Sequence, residues 1–588
     1  MFIENINSPS DLKKLTVQEC EILANEIRRV LLNRVSDIGG HLGSNLGVVE
    51  ATIALHYVFD APKDKIVFDV SHQCYTHKIL TGRKEAFINP EHYKSVSGYT
   101  CPKESEYDLF QIGHTATSIS LASGLAKARD LIGGQENVIA FIGDGSLSGG
   151  EAFEGLDFAA SELKSNFIII VNDNNMSIAE NHGGLYKNLK ELRDTNGTSQ
   201  KNIFTALGYA YYFCKNGNDL KSLVKTFESV KNTSTPVVVH ICTTKGKGYD
   251  YAEAHQEETH WCRPFDINTG MEKNLFKGTE RYDFIVRKHL LEKMKYDNKI
   301  ATIIAAVPNA LTLKKDIRIQ AGKQLIDVAI AEEHAVAMSA GFARYGGKPI
   351  FTTLSTFFQR TYDQIFQELC INKCAATMIV IDASVYAPND ITHVGIYDIA
   401  MMSNIPNLVY LAPTNKQEYL AMLDWSIEQN NYPVAIRAPR NGVYEAQGVV
   451  DTDYSKLNKY KIERNGKKVA IIALGDFFQL GEKVVDLCEK ELGYEPTLIN
   501  PRYITGIDEE LLNELKNAHE LIVTLEDGIL DGGFGEKIAS FYGTCKTIGV
   551  RNYGLKKEFL DRYDVNEVLR KNRLVPELIV SDICEYFA

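Results

Sequence analysis

Positive charge is in short supply in this chain. Its 588 residues carry a formal net charge of −12, which argues against nucleic acid as a main partner. Long hydrophobic runs are missing too, and no stretch approaches the length of a membrane span. The opening Met1-Phe-Ile-Glu-Asn has no basic stretch leading into an apolar one, so no signal peptide is expected. Eleven cysteines are scattered without a Cys-x-x-Cys or a His/Cys pair at ligand spacing, which excludes a zinc motif and a disulfide framework. Cys370 and Cys374 could share a helix face, but two buried thiols explain them better. These absences predict a cytoplasmic protein with small-molecule substrates, no nucleic acid and no membrane partner. A hydrophobic content of 44% and a charged content of 24% are globular values. The length calls for several domains.

What is present is organised around Asn137-Val-Ile-Ala-Phe-Ile-Gly143-Asp144-Gly145-Ser146 and a later stretch, Asn166-Phe-Ile-Ile-Ile-Val171-Asn172-Asp173-Asn174-Asn175-Met176. Each is an apolar, β-branched run that stops abruptly at polar residues. Residues 151–160 between them read as a helix, with Phe153, Leu156, Phe158 and Ala159 available for packing. A strand-helix-strand unit connects right-handedly, so the strands should lie parallel. Asp144 and Asn174 then fall at the carboxyl edge, where open parallel sheets bind ligands. A carboxylate and an amide oxygen are hard ligands that complete an octahedral Mg2+ site with phosphate oxygens. Gly143 and Gly145 would let the backbone turn tightly and approach a phosphate. Gly-Asp-Gly alone is an ordinary turn about half the time or more. The partner Asn174 at the next strand end shifts that balance.

Upstream, residues 10–35 read as a helix capped by Ser10 or Asp11. Four glycines in Gly39-Gly40-His41-Leu42-Gly43-Ser44-Asn45-Leu46-Gly47 imply close backbone approach rather than a packed helix. Residues 48–57 are a predicted helix. Residues 66–70 are a predicted strand that ends at Ser71-His72-Gln73-Cys74-Tyr75-Thr76-His77-Lys78. Gln111-Ile112-Gly113-His114-Thr115 leads into a small-residue helix over 119–128. A lone loop histidine is usually a surface residue. Three of them, His41, His72 and His114, each at a Gly-rich or strand-end corner, point to proton transfer near neutral pH. Gly113, His114 and Thr115 also bring backbone N–H groups to a helix N-terminus, which suits an anion.

The Asp144/Asn174 pair resembles the thiamine diphosphate signature of the transketolase superfamily. Gly39-Gly-His-Leu-Gly-Ser-Asn-Leu-Gly47, His72-Gln-Cys-Tyr-Thr-His-Lys-Ile-Leu-Thr-Gly-Arg83 and Gly113-His-Thr-Ala-Thr-Ser-Ile-Ser120 resemble the 1-deoxy-D-xylulose-5-phosphate synthase family more specifically, and the resemblance runs nearly end to end. It implies a homodimeric enzyme using thiamine diphosphate and Mg2+, with the cofactor site between the first two domains of one chain. Asp144, Asn174 and the carbonyl of Met176 would hold the metal. His72, Gly113, His114, Thr115, Gly145, Ser146, Asn174 and Tyr249 of Lys245-Gly-Lys-Gly-Tyr249 would contact the cofactor. His41, His72, His114 and His260 would transfer protons.

Beyond a linker-like stretch over 266–280, residues 325–330 read as a strand and Glu332 opens a helix. Taken alone, Glu332 is a carboxylate satisfying a helix macrodipole. Ala329-Ile-Ala-Glu-Glu-His-Ala-Val336 resembles the family segment whose glutamate hydrogen-bonds the cofactor's aminopyrimidine, so Glu332 takes that catalytic and cofactor-binding role. By the same resemblance Phe357 packs on the pyrimidine, although a core residue would explain it equally. Arg360 and His393 act in catalysis and substrate binding, and Arg440 holds a sugar phosphate. Strand-like runs at 469–474, 496–499 and 521–525 alternate with helices in a third region, which the family uses to support the dimer. The expected fold is α/β: three domains, residues 1–268, 281–446 and 450–588, each a mainly parallel sheet flanked by helices.

Departures from the family pattern gather at the acceptor pocket. Ala383 stands where the family has an arginine assigned to phosphate, and Leu354 where it has a tyrosine. The Ala387-Pro-Asn-Asp390-Ile-Thr-His393 segment is one residue shorter, and Lys215-Asn-Gly-Asn-Asp219 replaces an Asp-Gly-His-Asp segment. The polar region 181–202 is also much shorter than the family's insertion. Losing a charged hydrogen bond worth about 1.5–3 kcal/mol weakens phosphate binding by about ten- to a hundredfold, or marks a different acceptor. The main expectation is a carboligase joining the two-carbon unit of pyruvate to glyceraldehyde 3-phosphate. The alternative is a related transferase with another aldehyde acceptor or a ketose donor. A catalytically silent binding subunit is disfavoured by intact Asp144, Asn174 and Glu332.

Overall fold

The apolar runs found in the sequence form the middle of a five-stranded sheet. Its strands are β1 (Lys65–Phe68), β2 (Val138–Gly143), β3 (Phe167–Asp173), β4 (Ala210–Cys214) and β5 (Val237–Cys242), in the order β1-β2-β3-β5-β4, all parallel. Ile139, Phe141, Ile168, Ile170 and Val239 pack on one face, and Val138, Ala140, Ile142, Ile169, Val171 and Val238 on the other. Burial on both faces explains why these strands read as continuous apolar runs rather than alternating ones. The edge strand β4, whose residues alternate in exposure, carries no such run and was not expected.

The computed structural model describes residues 1–273, 280–386 and 390–588. The chain divides into two compact units, Met1–Lys277 with Ala329–Ala331, and Gly278–Val328 with Glu332–Ala588. The second unit holds two further sheets. One is β10-β11-β9-β8-β6-β7, all parallel, from β6 (Ile300–Ile304), β7 (Leu325–Asp327), β8 (Lys348–Leu354), β9 (Thr377–Ile381), β10 (Val409–Leu411) and β11 (Val434–Ala438). The other is β12-β14-β13-β15-β16, from β12 (Lys461–Arg464), β13 (Lys468–Ala473), β14 (Thr497–Asn500), β15 (His519–Ile529) and β16 (Gly549–Leu555), with only β12 antiparallel. The three-sheet α/β architecture expected from the sequence is therefore present.

Several local expectations need correction. The entry helix is Val17–Ile38, and its cap is Thr16, whose side chain accepts from Glu19 N–H while Glu19 reaches back to Thr16. Asp11 instead belongs to a separate turn, Pro9–Leu12. This Thr-x-x-Glu capping box is the stronger start signal. The Gly-rich segment does contain a helical turn, Gly43–Gly47, although the expected close approach holds. A Cβ at Gly47 would come within 2.9 Å of the Thr244 carbonyl oxygen. In the helix Gly150–Glu162, Leu156 and Ala159 are buried, but Phe153 and Phe158 are 50% and 41% exposed. The strand expected over 325–330 ends at Asp327.

A buried charge cluster ties the two sheets of the second unit. Arg437, on β11, donates its Nε to Asp398 at 2.7 Å and pairs with Asp527 of β15; Tyr410 also bonds Asp398. All eleven cysteines are free thiols. No helix among the described residues is long and apolar enough to cross a membrane.

Candidate active site

The ends of β2 and β3 are brought side by side by the ladder. Asp144 N–H donates to the Asn172 carbonyl at 3.0 Å. Asp144 is buried, and its Oδ2 accepts from Asn181 Nδ2 at 2.8 Å. Burial, reinforced by the neighbouring Asp173 carboxylate, pushes Asp144 up to about 8. Asn174 Oδ1 accepts from Met176 N–H at 3.2 Å, which shapes the loop carrying the Met176 carbonyl. Asp173 is held by His240 Nε2 at 2.9 Å and by Arg193, whose other nitrogen reaches Asn175 Oδ1 at 2.8 Å. Buried Lys245 donates to the carbonyls of Ser177 at 2.6 Å and Ile178 at 3.3 Å, and its burial lowers it to about 8. Among the described residues no group of three or more His, Cys, Asp or Glu side chains could hold a metal. A set of one carboxylate, one amide oxygen and one carbonyl lies outside that definition.

The glycines flanking Asp144 work differently from expectation. Neither takes a positive φ. Gly145 is required because a Cβ there would lie 2.7 Å from Ser177 Cβ, whereas a Cβ at Gly143 would meet nothing within 4 Å. Tyr186 Oη donates to the Gly145 carbonyl at 3.0 Å. Ser146 hydrogen-bonds Asp69, and the same carboxylate accepts from the N–H groups of Ala116 at 2.9 Å and Ser118 at 3.0 Å. Asp69 therefore joins the Ser146 loop to the loop of Gly113, His114 and Thr115. It takes the N–H groups of Ala116 and Ser118 at the start of the helix Ser118–Leu131, next to those of Gly113, His114 and Thr115 that are expected to face an anion.

Three of the four proposed proton-transfer histidines meet in the same unit. Ring centroids are 5.0 Å apart for His41 and His72, 5.6 Å for His41 and His260, and 5.2 Å for His72 and His260. Tyr99 lies 5.6 Å from His41. Asn45 explains the meeting: its Nδ2 donates to the carbonyls of His41 at 2.9 Å and His72 at 2.8 Å, and its Oδ1 accepts from Tyr75 N–H at 2.9 Å. Burial, with the positive charge of Lys245, drives His260 well below the usual histidine range, so it is neutral. His114 lies in the loop just before the helix Ser118–Leu131. Tyr249 turns its hydroxyl onto the Ile267 carbonyl at 2.7 Å and stacks on Phe265.

In the second unit, Glu332 is the first residue of the helix Glu332–Arg344 and is 3% exposed. Its Oε2 has no hydrogen-bond partner among the described residues. Burial raises it to about 7, opposed by the charge of Arg360. Phe357 meets His393 edge to face at 5.6 Å. His393 Nδ1 is 2.9 Å from the Thr392 hydroxyl and 3.6 Å from Asp390. Asp390 thus keeps a link to His393 despite the shortened segment, whose residues 387–389 lie outside the described residues. The Tyr386 hydroxyl donates to the His393 carbonyl at 3.3 Å. The Arg440 guanidinium lies 5.3 Å from the Tyr386 ring centroid and donates to Asp382 at 3.2 Å. Ala383 is fully buried among Ile399, Met402 and their neighbours. Leu354 packs against an apolar cluster that includes Ile381 and Ile436.

Sequence reasoning passed over Asn45, Asp69, Asn181, Tyr99 and Lys245. Lys245 and Asn45 lay inside motifs already singled out. Asp69 was readable as the last polar residue of a predicted strand. Asn181 and Tyr99 gave no local signal.

Known proteins add a family context. A family model described as 1-deoxy-D-xylulose-5-phosphate synthase matches residues 3–201 and 194–243. The transketolase pyrimidine-binding and C-terminal domain models match 283–445 and 458–574. The chain is 37% identical to a curated 1-deoxy-D-xylulose-5-phosphate synthase of Lachnoclostridium phytofermentans, over 99% of this chain and 98% of the relative. It is 37% identical to that of Caldanaerobacter subterraneus subsp. tengcongensis, over 100% and 99%. Among solved structures, transketolase from Campylobacter jejuni matches at 18% identity and TM-score 0.44, over 97% of this chain and 100% of that one.

Proposed function

The chain belongs to the 1-deoxy-D-xylulose-5-phosphate synthase family and is a transferase of the transketolase type, and we propose that it releases carbon dioxide from pyruvate and joins the remaining two-carbon unit to glyceraldehyde 3-phosphate, giving 1-deoxy-D-xylulose 5-phosphate. The observation that carries the reading is Glu332. A buried carboxyl held to about 7 with one oxygen unpartnered is an acid built to meet a ligand's hydrogen-bonding group. An aminopyrimidine supplies such a group. Asp144 fits the companion metal in the same sense. A buried carboxylate raised to about 8 is the kind of group that a divalent cation returns to its ionised form.

Thiamine diphosphate, when bound, supplies the electron sink for loss of carbon dioxide. Asp144, Asn174 and the Met176 carbonyl would hold Mg2+, with Lys245 and Asn181 steadying their loops. Gly113, His114, Thr115, Gly145, Ser146, Tyr249 and Phe357 are the proposed cofactor contacts. Glu332 holds a proton at its carboxyl and exchanges it with the bound ligand. Neutral His260 has an unpartnered Nδ1 among the described residues. With His41, His72 and His114 it would move the proton that the acceptor's carbonyl oxygen gains as the new carbon–carbon bond forms. Arg360, His393 and Arg440 would orient the substrates' anionic groups. The same reading takes domain limits of 1–268, 281–446 and 450–588, a homodimer, and a cytoplasmic location.

A second reading, a different aldehyde acceptor or a ketose donor, is favoured by one observation. Ala383 is fully buried, so position 383 itself presents no cation to a ligand. Carbon dioxide release from pyruvate should be measured with thiamine diphosphate and Mg2+, with and without glyceraldehyde 3-phosphate, and products identified by mass spectrometry. Deoxyxylulose phosphate is the expected product. Release without that product would replace the first reading with the second.

A further inference from the structure

Arg440, the residue proposed for the acceptor phosphate, is already paired. Its Nη1 donates to Asp382 Oδ2 at 3.2 Å, and its plane lies over Tyr386. An ion pair at an exposed site is ordinarily weak, but here the surroundings hold both members. A Cβ on Gly395 would come within 2.0 Å of the Asp382 carbonyl oxygen, and Ser384 N–H donates to the Gly395 carbonyl at 2.9 Å. Asp476 accepts from Ser384 Oγ at 3.0 Å and from Asn441 Nδ2 at 2.7 Å. It thereby pins the residue beside Arg440 and the residue two beyond Asp382. Tyr386 also hydrogen-bonds Asp382. The other arginine near this carboxylate, Arg281, is paired within its own turn with Asp283. Both cations are thus matched before any ligand arrives. An incoming phosphate must displace a carboxylate that stays fixed nearby and repels it.

We propose that Asp382 determines acceptor specificity by competing intramolecularly for Arg440, lowering the preference for phosphorylated over unphosphorylated aldehydes. This rests on the reading above that Arg440 faces the acceptor. Burial raises the Asp382 carboxyl above its ordinary value, and the Arg440 charge is the chief opposing influence.

The test is Asp382→Asn. Asp382 has φ 57°, and asparagine tolerates that left-handed backbone; thermal unfolding checks that the variant folds. The KM for glyceraldehyde 3-phosphate is expected to fall about tenfold, while that for glyceraldehyde moves less than about twofold. In an Arg440→Gln background the second substitution should have no effect on either aldehyde. Equal shifts for both aldehydes, or a higher KM for the phosphorylated one, would overturn the proposal. If neither aldehyde gives product with wild type, the synthase reading fails separately. Calorimetric titration with inorganic phosphate then decides for Asp382. Binding about tenfold tighter in Asp382→Asn retains the proposal, and unchanged or absent binding in both proteins sinks it.

Discussion

The polar groups around His41 and those around Arg440 are satisfied in opposite ways. In the first unit, side-chain amides and backbone do the holding. Asn45 grips two carbonyls and an N–H, and Lys245 caps the carbonyls after Met176. Burial holds His260 well below the usual histidine range. In the second unit the charges satisfy one another, Arg440 with Asp382 and Arg281 with Asp283. Scaffolding that grips backbone atoms positions the rings without using their nitrogens. Scaffolding by opposite charge spends the functional groups on each other, so ligand binding there becomes an exchange of partners.

Glu332 tests the contrast most severely, because it sits among the charged residues of the second unit while its Oε2 has no hydrogen-bond partner among the described residues. Glu332→Gln should lower carbon dioxide release by about a thousandfold, the scale of a lost acid–base group, while cofactor titration still saturates. Full activity in this variant would remove Glu332 from the mechanism. The same residue gives a pH signature. Its folded-state pKa, about 7, is raised above 4.5. The folded protein therefore binds this proton more tightly, and stability from it is present below pH 4.5 and lost as pH rises through 7. At pH 8 the cofactor-free wild type should be less stable than Glu332→Gln by about 3 kcal/mol, with no such gap at pH 4. Melting temperatures of the two proteins at both pH values check it.

Arg440→Gln sharpens the comparison from the acceptor side. The KM for glyceraldehyde 3-phosphate should rise about tenfold, less than a free arginine would cost, because Asp382 already holds part of its charge. A hundredfold rise would mean that the ion pair opens without cost. The smallest effect belongs to the neutral scaffold. Asn45→Ala removes three hydrogen bonds, each contributing about 1 kcal/mol. The variant should melt several degrees lower and lose kcat, with little change in acceptor KM. A change confined to KM would mean that Asn45 does not align the histidines.

The strand ends and the Gly-rich approach of the first unit were largely legible because their signals are local. An apolar run that ends at Asp144 or Asn174 announces a strand end, and Gly39 to Gly47 announces close packing. The meeting of His41, His72 and His260 was not legible, since an asparagine that bonds two distant carbonyls looks like any other asparagine. Helical spacing offers Phe153 and Phe158 for packing but does not say how wide the buried stripe is, and both are partly exposed. Position 383 was read as a missing contact in a pocket. The fold puts its Cβ into the core, a direction that depends on the unusual backbone of Asp382 and Ser384, with φ 57° and 157°. The raised pKa of Glu332 follows from burial, which no motif encodes.

Arg437 bears on how separable the parts of this chain are. Its charge is answered partly by Asp398, the first residue of the helix Asp398–Met402, and partly from the next sheet, by Asp527. A fragment ending before β12 would keep the arginine, lose one of its counter-ions and expose a surface shaped to be covered. The last two sheets should therefore behave as a single heritable cassette, tolerant of being moved together and intolerant of being cut apart.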